Sequence, residues 1–250
     1  MTDHILVERP ESAPHIQIIR FNRPDKKNAI TRGMYQSMTA ALKAADDAPD
    51  IRVNVFLGTE GCFSAGNDLA DFLAFAQGGS MGTEVVDFLV ALASARKPVV
   101  SGVDGLAIGI GTTLNLHCDL TVASDRSLFK TPFVDLALVP EAGSSLLAPR
   151  VMGHQRAFAL LALGEGFSAA QAKEAGLIWK VTTPDAVEAE TLSLAAKLAA
   201  KPPEALAIAR NLMRGAPDAV LGRIREEAEQ FAARLKSAEA RAAFEAFMKR

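Results

Sequence analysis

Cysteine, tryptophan and tyrosine are scarce in this chain of 250 residues, with two, one and one respectively. Cys62 and Cys118 lie far apart and form no CxxC pair, so a disulfide framework is not supported. The four histidines, His4, His15, His117 and His154, show no HxxxH spacing, and no metal site is expected. Charge of one sign is also lacking. Twenty-seven basic and 29 acidic side chains leave a formal net charge of -2 with no long block of either sign, so a nucleic acid is not the expected partner. No apolar run followed by a cleavage site opens the chain, no membrane segment is expected, and "AFMKR" is not an SKL-type signal. A cytoplasmic, reducing environment is the expectation.

Several catalytic signatures are missing as well. Gly109-Ile-Gly111 in "GLAIGIGTTL" lacks the third glycine of a dinucleotide fingerprint, and GxxxxGK occurs nowhere. Ser64 is not in GxSxG and has no histidine near it in sequence, so a serine hydrolase is unsupported. No period of 20 to 50 residues repeats clearly, and there is no low-complexity tract or Gly/Ser linker.

What is present is a chain with 49% hydrophobic residues, long enough for one large α/β domain or a main domain with a small appendage. "HILVER" and "HIQIIRF" alternate as paired strands around the turn "PESAP". From Thr31 to about Asp47 the period becomes helical, with Thr31 as N-cap and Met34, Met38, Ala41, Leu42 and Ala45 on one face. "VNVFLG" reads as a buried strand. Val85, Phe88, Leu89 and Leu92 align on a helix that stops before Pro98. Strands at "VVSGVDG", "DLTVAS" and "IWKVT" continue an α/β alternation. After Val181 the chain turns Ala-rich and helical, broken at Pro202 and Pro203, and Phe244, Phe247 and Met248 form an apolar stripe near its end. The division expected is a core of residues 1–190 and a helical region of 191–250.

Five segments carry candidate chemistry, weighed against plain structural alternatives. A helix starting near Gly109 to Gly111 exposes unpaired N–H groups suited to an oxyanion. In "CFSAGNDLADF", Gly66 permits a tight turn and Asn67 and Asp68 start a helix, as in any capped loop. "NRPDKKNAI" is a basic turn whose Arg23, Lys26 and Lys27 either face water or meet a phosphorylated ligand. "HCDL" at 117–120 reads as buried structural groups rather than a metal or nucleophile site. In "ALVPEAGSSLL" the local sequence favours a turn, with Glu141 facing water.

Taken together and in this order, "NRPDKKNAI", "CFSAGNDLADF", "SGVDGLAIGIGTTLNLHCDLTVAS", "FKTPFVDLALVPEAGSSL" and "AFEAFMKR" resemble the crotonase, or enoyl-CoA hydratase/isomerase, superfamily over essentially the whole chain. The resemblance implies an α/β fold, a crotonase-like spiral of ββα units with a C-terminal helical region, assembled as a homotrimer or a dimer of trimers. It implies an acyl-CoA substrate and no cofactor, coenzyme A entering as part of the substrate. It gives the backbone N–H groups of Asn67 and Ile110 as the donors that polarise the thioester carbonyl.

The two glutamates of typical hydratases fall on Thr113 and Phe133, neither of which is an acid or base. The resemblance is closest to Δ3,Δ2-enoyl-CoA isomerases of the peroxisomal type, which carry a single catalytic glutamate in a "PEG" or "PEA" turn, here Glu141. The implied reaction is isomerisation of 3-enoyl-CoA to trans-2-enoyl-CoA in fatty-acid β-oxidation. Lys26, Lys27 and the backbone near Ala29 are the implied coenzyme A contacts, with Phe247 and Arg250 approaching from an adjacent subunit. Ala65, Gly66, Asp68, Leu69, Gly109 and Phe133 complete the implied substrate contacts. Leu138, Val139, Leu146 and Leu147 are expected to keep water from Glu141 and raise its pKa. Hydration or thioester hydrolysis through Glu141 or Asp68, and acyl-CoA binding without turnover, remain the alternative readings.

Overall fold

The computed structural model describes residues 4–68, 70–71 and 82–248. Leu69, Arg250 and the side chain of Phe247 lie outside the described residues, as does most of the helix expected from "DLADFLAF".

Strand β1 (Ile5–Glu8) pairs antiparallel with β2 (Ile16–Phe21), and β2 is followed in space by β3 (Val53–Leu57), β5 (Val99–Val103), β7 (Leu120–Ser124) and β10 (Lys180–Thr182), all parallel. A smaller sheet runs β4 (Cys62–Ser64), β6 (Leu106–Ile108), β8 (Leu128–Lys130) and β9 (Phe167–Ser168). Consecutive strands therefore go to different sheets: β3 and β4, β5 and β6, β7 and β8 each place one strand in either. This is the spiral of ββα units that the resemblance implied, and successive turns stack corner on corner. At Gly105, with φ of 74°, an added Cβ would lie 1.9 Å from the carbonyl oxygen of Gly61 in the turn below, so only glycine fits.

The alternation in β2 does not separate core from water, because both faces are covered. Ile16 and Ile18 pack with Val53, Val55 and Ala195, whereas Ile19 and Phe21 join the main core with Phe56, Phe63 and Phe88. Such two-sided burial is typical of parallel sheets. The helix Arg32–Asp47 starts at Thr31, whose hydroxyl accepts from Met34 N, and buries Met34, Tyr35, Met38 and Leu42. Removing a fully buried aromatic such as Phe56 from this core is expected to cost about 3–5 kcal/mol.

Helix Val187–Ala199 runs through the boundary expected near residue 190 and packs on β3, β5 and β7, so its later turns belong with the sheet. Beyond Pro202 the chain forms helices Pro203–Arg214, Asp218–Leu235 and Ala238–Met248. Buried Arg210 fastens the first of these, its Nε lying 2.8 and 2.9 Å from the two carboxylate oxygens of Asp119, with Nη1 donating to Ala95 O. The second packs against helices Glu84–Ser94 and Ser144–Met152, and through them it reaches the site.

Candidate active site

Two glycines bring two turns of the spiral together. Gly66 has φ of 92°, and a Cβ there would stand 3.0 Å from Ile108 O, so the close approach of these segments requires glycine. Asn67 forms a parallel bridge with Ile30, in which Ile30 N donates to Gly66 O at 2.8 Å and Asp68 N donates to Ile30 O at 2.9 Å. The intervening N–H, that of Asn67, consequently points away from Ile30. Ile110 is the first residue of the short helix Ile110–Thr113, so its N–H has no carbonyl a turn earlier to reach. Among the described residues neither N–H has a backbone acceptor.

Both segments border a cleft of about 590 Å³, with Ala65, Gly66, Asn67 and Gly109 on one side and Phe133 and Leu138 on the other. A smaller cavity of about 120 Å³ adjoins it, sharing Asn67 and Phe231. Glu141 lies on this inner cavity, among Val85, Leu89, Ile224 and Ala228.

The solvated turn suggested by the local sequence is not what forms: Glu141 is 6% exposed. Its Oε1 accepts a hydrogen bond from Thr113 Oγ1 at 2.5 Å, and its Oε2 has no partner among the described residues. Burial pushes the carboxyl up to about 8 against the opposing effect of the Thr113 hydroxyl, and negative Glu227 adds to the rise. The water-excluding side chains also differ from those expected. Leu138 is buried beside the cleft, but the inner cavity is closed by helices Glu84–Ser94 and Asp218–Leu235 rather than by Leu146 and Leu147.

The turn carrying Glu141 is conformationally unusual, with Ala142 at φ 63° and Gly143 at φ 69°. A left-handed alanine is strained, and tertiary contacts hold it there. His117 donates through Nε2 to Ala142 O at 2.6 Å, which fixes its tautomer, and burial lowers its pKa to about 4, so it is neutral. Of the "HCDL" residues expected to be buried and structural, His117 is buried and secures the candidate catalytic turn, whereas Cys118, Asp119 and Leu120 are only partly buried. Cys118, pushed up to about 12 mainly by burial, is an inert thiol.

Asp68 is committed elsewhere. Its carboxylate pairs with Arg23 at 2.5 Å and accepts from Ala70 N at 2.9 Å. Burial opposes its ionisation, but Arg23 and that N–H outweigh burial and hold the group below its usual range. Lys26 and Lys27 are exposed, Ala29 is partly buried, and Lys27 O accepts from Ala65 N, which ties this turn to the rim of the cleft. Among the described residues, the cation that lines the cleft itself is Lys130, which no motif in the sequence had marked.

The family model described as Enoyl-CoA hydratase/isomerase matches residues 11–250. The chain belongs to the enoyl-CoA hydratase/isomerase, or crotonase, family. It is similar to the rat protein named enoyl-CoA delta isomerase 2, with 38% identity over 84% of this chain and 54% of that one, so the match spans about half the length of that relative. It is 34% identical to a probable enoyl-CoA hydratase of Rhizobium meliloti, over 76% of this chain and 74% of the relative. Among solved structures, Pseudomonas aeruginosa OdaA superposes with a TM-score of 0.93 at 40% identity, with 100% of each chain covered.

Crotonase-family sequence motifs locate Gly66, Gly109 and Glu141, but the bonds from Thr113 to Glu141, from His117 to Ala142 and from the Tyr35 hydroxyl to Asn67 Oδ1 at 2.5 Å, and the place of Glu227 beside the Glu141 turn, come to light only when the chain is folded. One signal was available for Glu227: it shares the buried stripe Ile224, Glu227, Phe231 and Leu235, and an acid on an apolar helix face needs a partner.

Proposed function

We propose that this protein isomerises 3-enoyl-CoA to trans-2-enoyl-CoA, with Glu141 as the proton shuttle. The observation that carries the reading is a buried carboxyl on an apolar cavity next to Asn67, with one oxygen unpartnered among the described residues. The thioester oxygen accepts from the N–H groups of Asn67 and Ile110. Glu141 removes the C2 proton, the C2–H electron pair enters the conjugated system, and negative charge gathers on that oxygen. The proton then goes from Glu141 to C4, the double bond settles between C2 and C3, and the thioester carbonyl reforms. Atoms and electrons balance without water or a second reactant. Fixed donors in a dry site stabilise such an enolate without reorganising, and one of them typically contributes about 3–4 kcal/mol.

A carboxyl that titrates near 8 suits this task, since taking and returning a proton are both easiest when donor and medium are matched. The two hydratase positions argue the same way: Thr113 serves Glu141 as a hydrogen-bond donor, and Phe133 is an apolar wall. Lys130, with Lys26 and Lys27 on the adjacent rim, gives the phosphates of coenzyme A a cationic approach. Ile208, Leu212 and Met213, left exposed on helix Pro203–Arg214, support a contact with further copies of the chain.

The test is incubation with 3-hexenoyl-CoA, following the conjugated product by absorbance and mass. Conversion at constant mass supports the reading; addition of water or release of free coenzyme A refutes it.

A further inference from the structure

Helix Ser144–Met152 begins at Gly143 with no side-chain cap from its own surroundings in sequence. Its start is held instead by Glu227, on helix Asp218–Leu235. Glu227 Oε2 accepts from Gly143 N at 2.6 Å and Oε1 accepts from Ser145 N at 2.9 Å. The side chain is 6% exposed, and Arg223, one turn earlier, donates to Ser145 Oγ at 2.9 Å. Two bonds from one planar group fix both the place and the direction of the peptide that leaves the Glu141 turn. That turn contains the left-handed Ala142 and Gly143, so without the clasp its strain favours relaxation.

We propose that Glu227 is a positioning residue for the reaction: its carboxylate clasps the exit of the Glu141 turn, and its negative charge strengthens the Glu141 carboxylate as a base toward the C2 proton. This rests on the isomerase reading of the site. Two carboxyls near each other in apolar surroundings resist carrying two charges, and the better-solvated one ionises first. Burial pushes Glu227 up as well, but its two backbone donors and Arg223 oppose that rise, whereas Glu141 has one hydroxyl and a bare oxygen. Glu227 is therefore the first of the two to ionise, and Glu141 the one with the higher affinity for a proton.

Among the described residues, the other groups facing Glu141 do not supply that charge. Tyr35, from helix Arg32–Asp47, is kept neutral mainly by burial, and His117 is neutral on the Ala142 carbonyl. Helix Glu84–Ser94 presents Val85, Val86 and Leu89 to the cavity.

The deciding experiment measures kcat and KM for 3-hexenoyl-CoA against pH in the wild type, Glu227→Gln and Glu227→Asp. In Glu227→Gln the acid limb of kcat/KM is expected to move to lower pH by about 0.5–1.5 units, and the plateau of kcat to fall about tenfold with KM little changed. Glu227→Asp keeps the charge but is too short to reach both N–H groups, so the limb stays in place while kcat falls. A Glu227→Gln enzyme with the wild-type limb and plateau overturns the proposal. Carboxyl-carbon NMR titration of the wild type, assigned with Glu141→Gln, tests the charge order without either Glu227 variant having to fold. Glu227 ionising below Glu141 supports the proposal, and the reverse order overturns it. Because this titration needs no turnover, a wild type that leaves 3-hexenoyl-CoA unchanged refutes the isomerase reading separately.

Discussion

Two acids stand beside Asn67: Asp68 follows it in the chain, and Glu141 meets it across the inner cavity. Asp68 has a guanidinium and a backbone N–H on its oxygens and stays ionised, whereas Glu141 has a single hydroxyl and holds its proton up to about pH 8. Glu141 is the more deeply buried of the two, and burial is the main cause of its high pKa, whereas Asp68 is only partly buried. The partners widen that difference, and together with burial they decide which acid is free to exchange a proton and which only fastens a loop.

The sharpest way to break this comparison is Glu141→Gln. Turnover of 3-hexenoyl-CoA is expected to fall by about 10²–10⁴-fold, with acyl-CoA binding retained, since the amide fills the same space but moves no proton. Undiminished turnover would remove Glu141 from the mechanism.

Next in size is the effect of pH on stability. Glu141 has a folded pKa of about 8 against an ordinary 4.5, so folding favours its protonated form. Its contribution is fully present below the ordinary value and is lost as pH rises through about 8. Urea denaturation at pH 5 and pH 9 should therefore show the wild type losing up to about 4 kcal/mol relative to Glu141→Gln. Parallel curves for the two proteins would contradict the assignment.

Thr113→Val sharpens the contrast from the other side. It removes the hydrogen bond on Glu141, worth about 1.5–3 kcal/mol to the charged form. The acid limb of kcat/KM should move further to alkaline pH, with activity at pH 7 reduced about tenfold or more. A limb that does not move would show that the hydroxyl is not bonded to the working carboxylate.

The smallest effect is expected from Asp68→Asn, whose amide oxygen still accepts from Ala70 N while the pairing with Arg23 weakens. Stability should drop by about 1 kcal/mol and kcat/KM should stay within a few-fold. A loss of turnover comparable to that of Glu141→Gln would make the two acids equals after all.

The legibility of these features in the sequence follows their range. Thr31 as an N-cap, the helical face of Met34, Met38 and Leu42, and the turn at Gly66 depend on neighbours a few residues away, and each was readable. The motifs of the crotonase family carried the spiral and the position of Glu141 further than periodicity alone. Local reasoning gave Glu141 to the solvent because its chain neighbours form a turn. It also assigned the exclusion of water to Leu146 and Leu147, which adjoin Glu141 in sequence, when Val85, Leu89 and Ile224 perform it in space.

By itself the sequence determined where the backbone turns, which faces are apolar and which acid sits in a glycine-containing turn, because these follow from steric and hydrophobic preferences over a few residues. Only the tertiary structure decided that Asp68 is neutralised, that Glu141 is buried with one free oxygen, and that His117 and Glu227 hold its turn. A proton's affinity for a carboxylate depends on the charges and donors within a few ångströms, and those come here from segments that only the folded chain brings together.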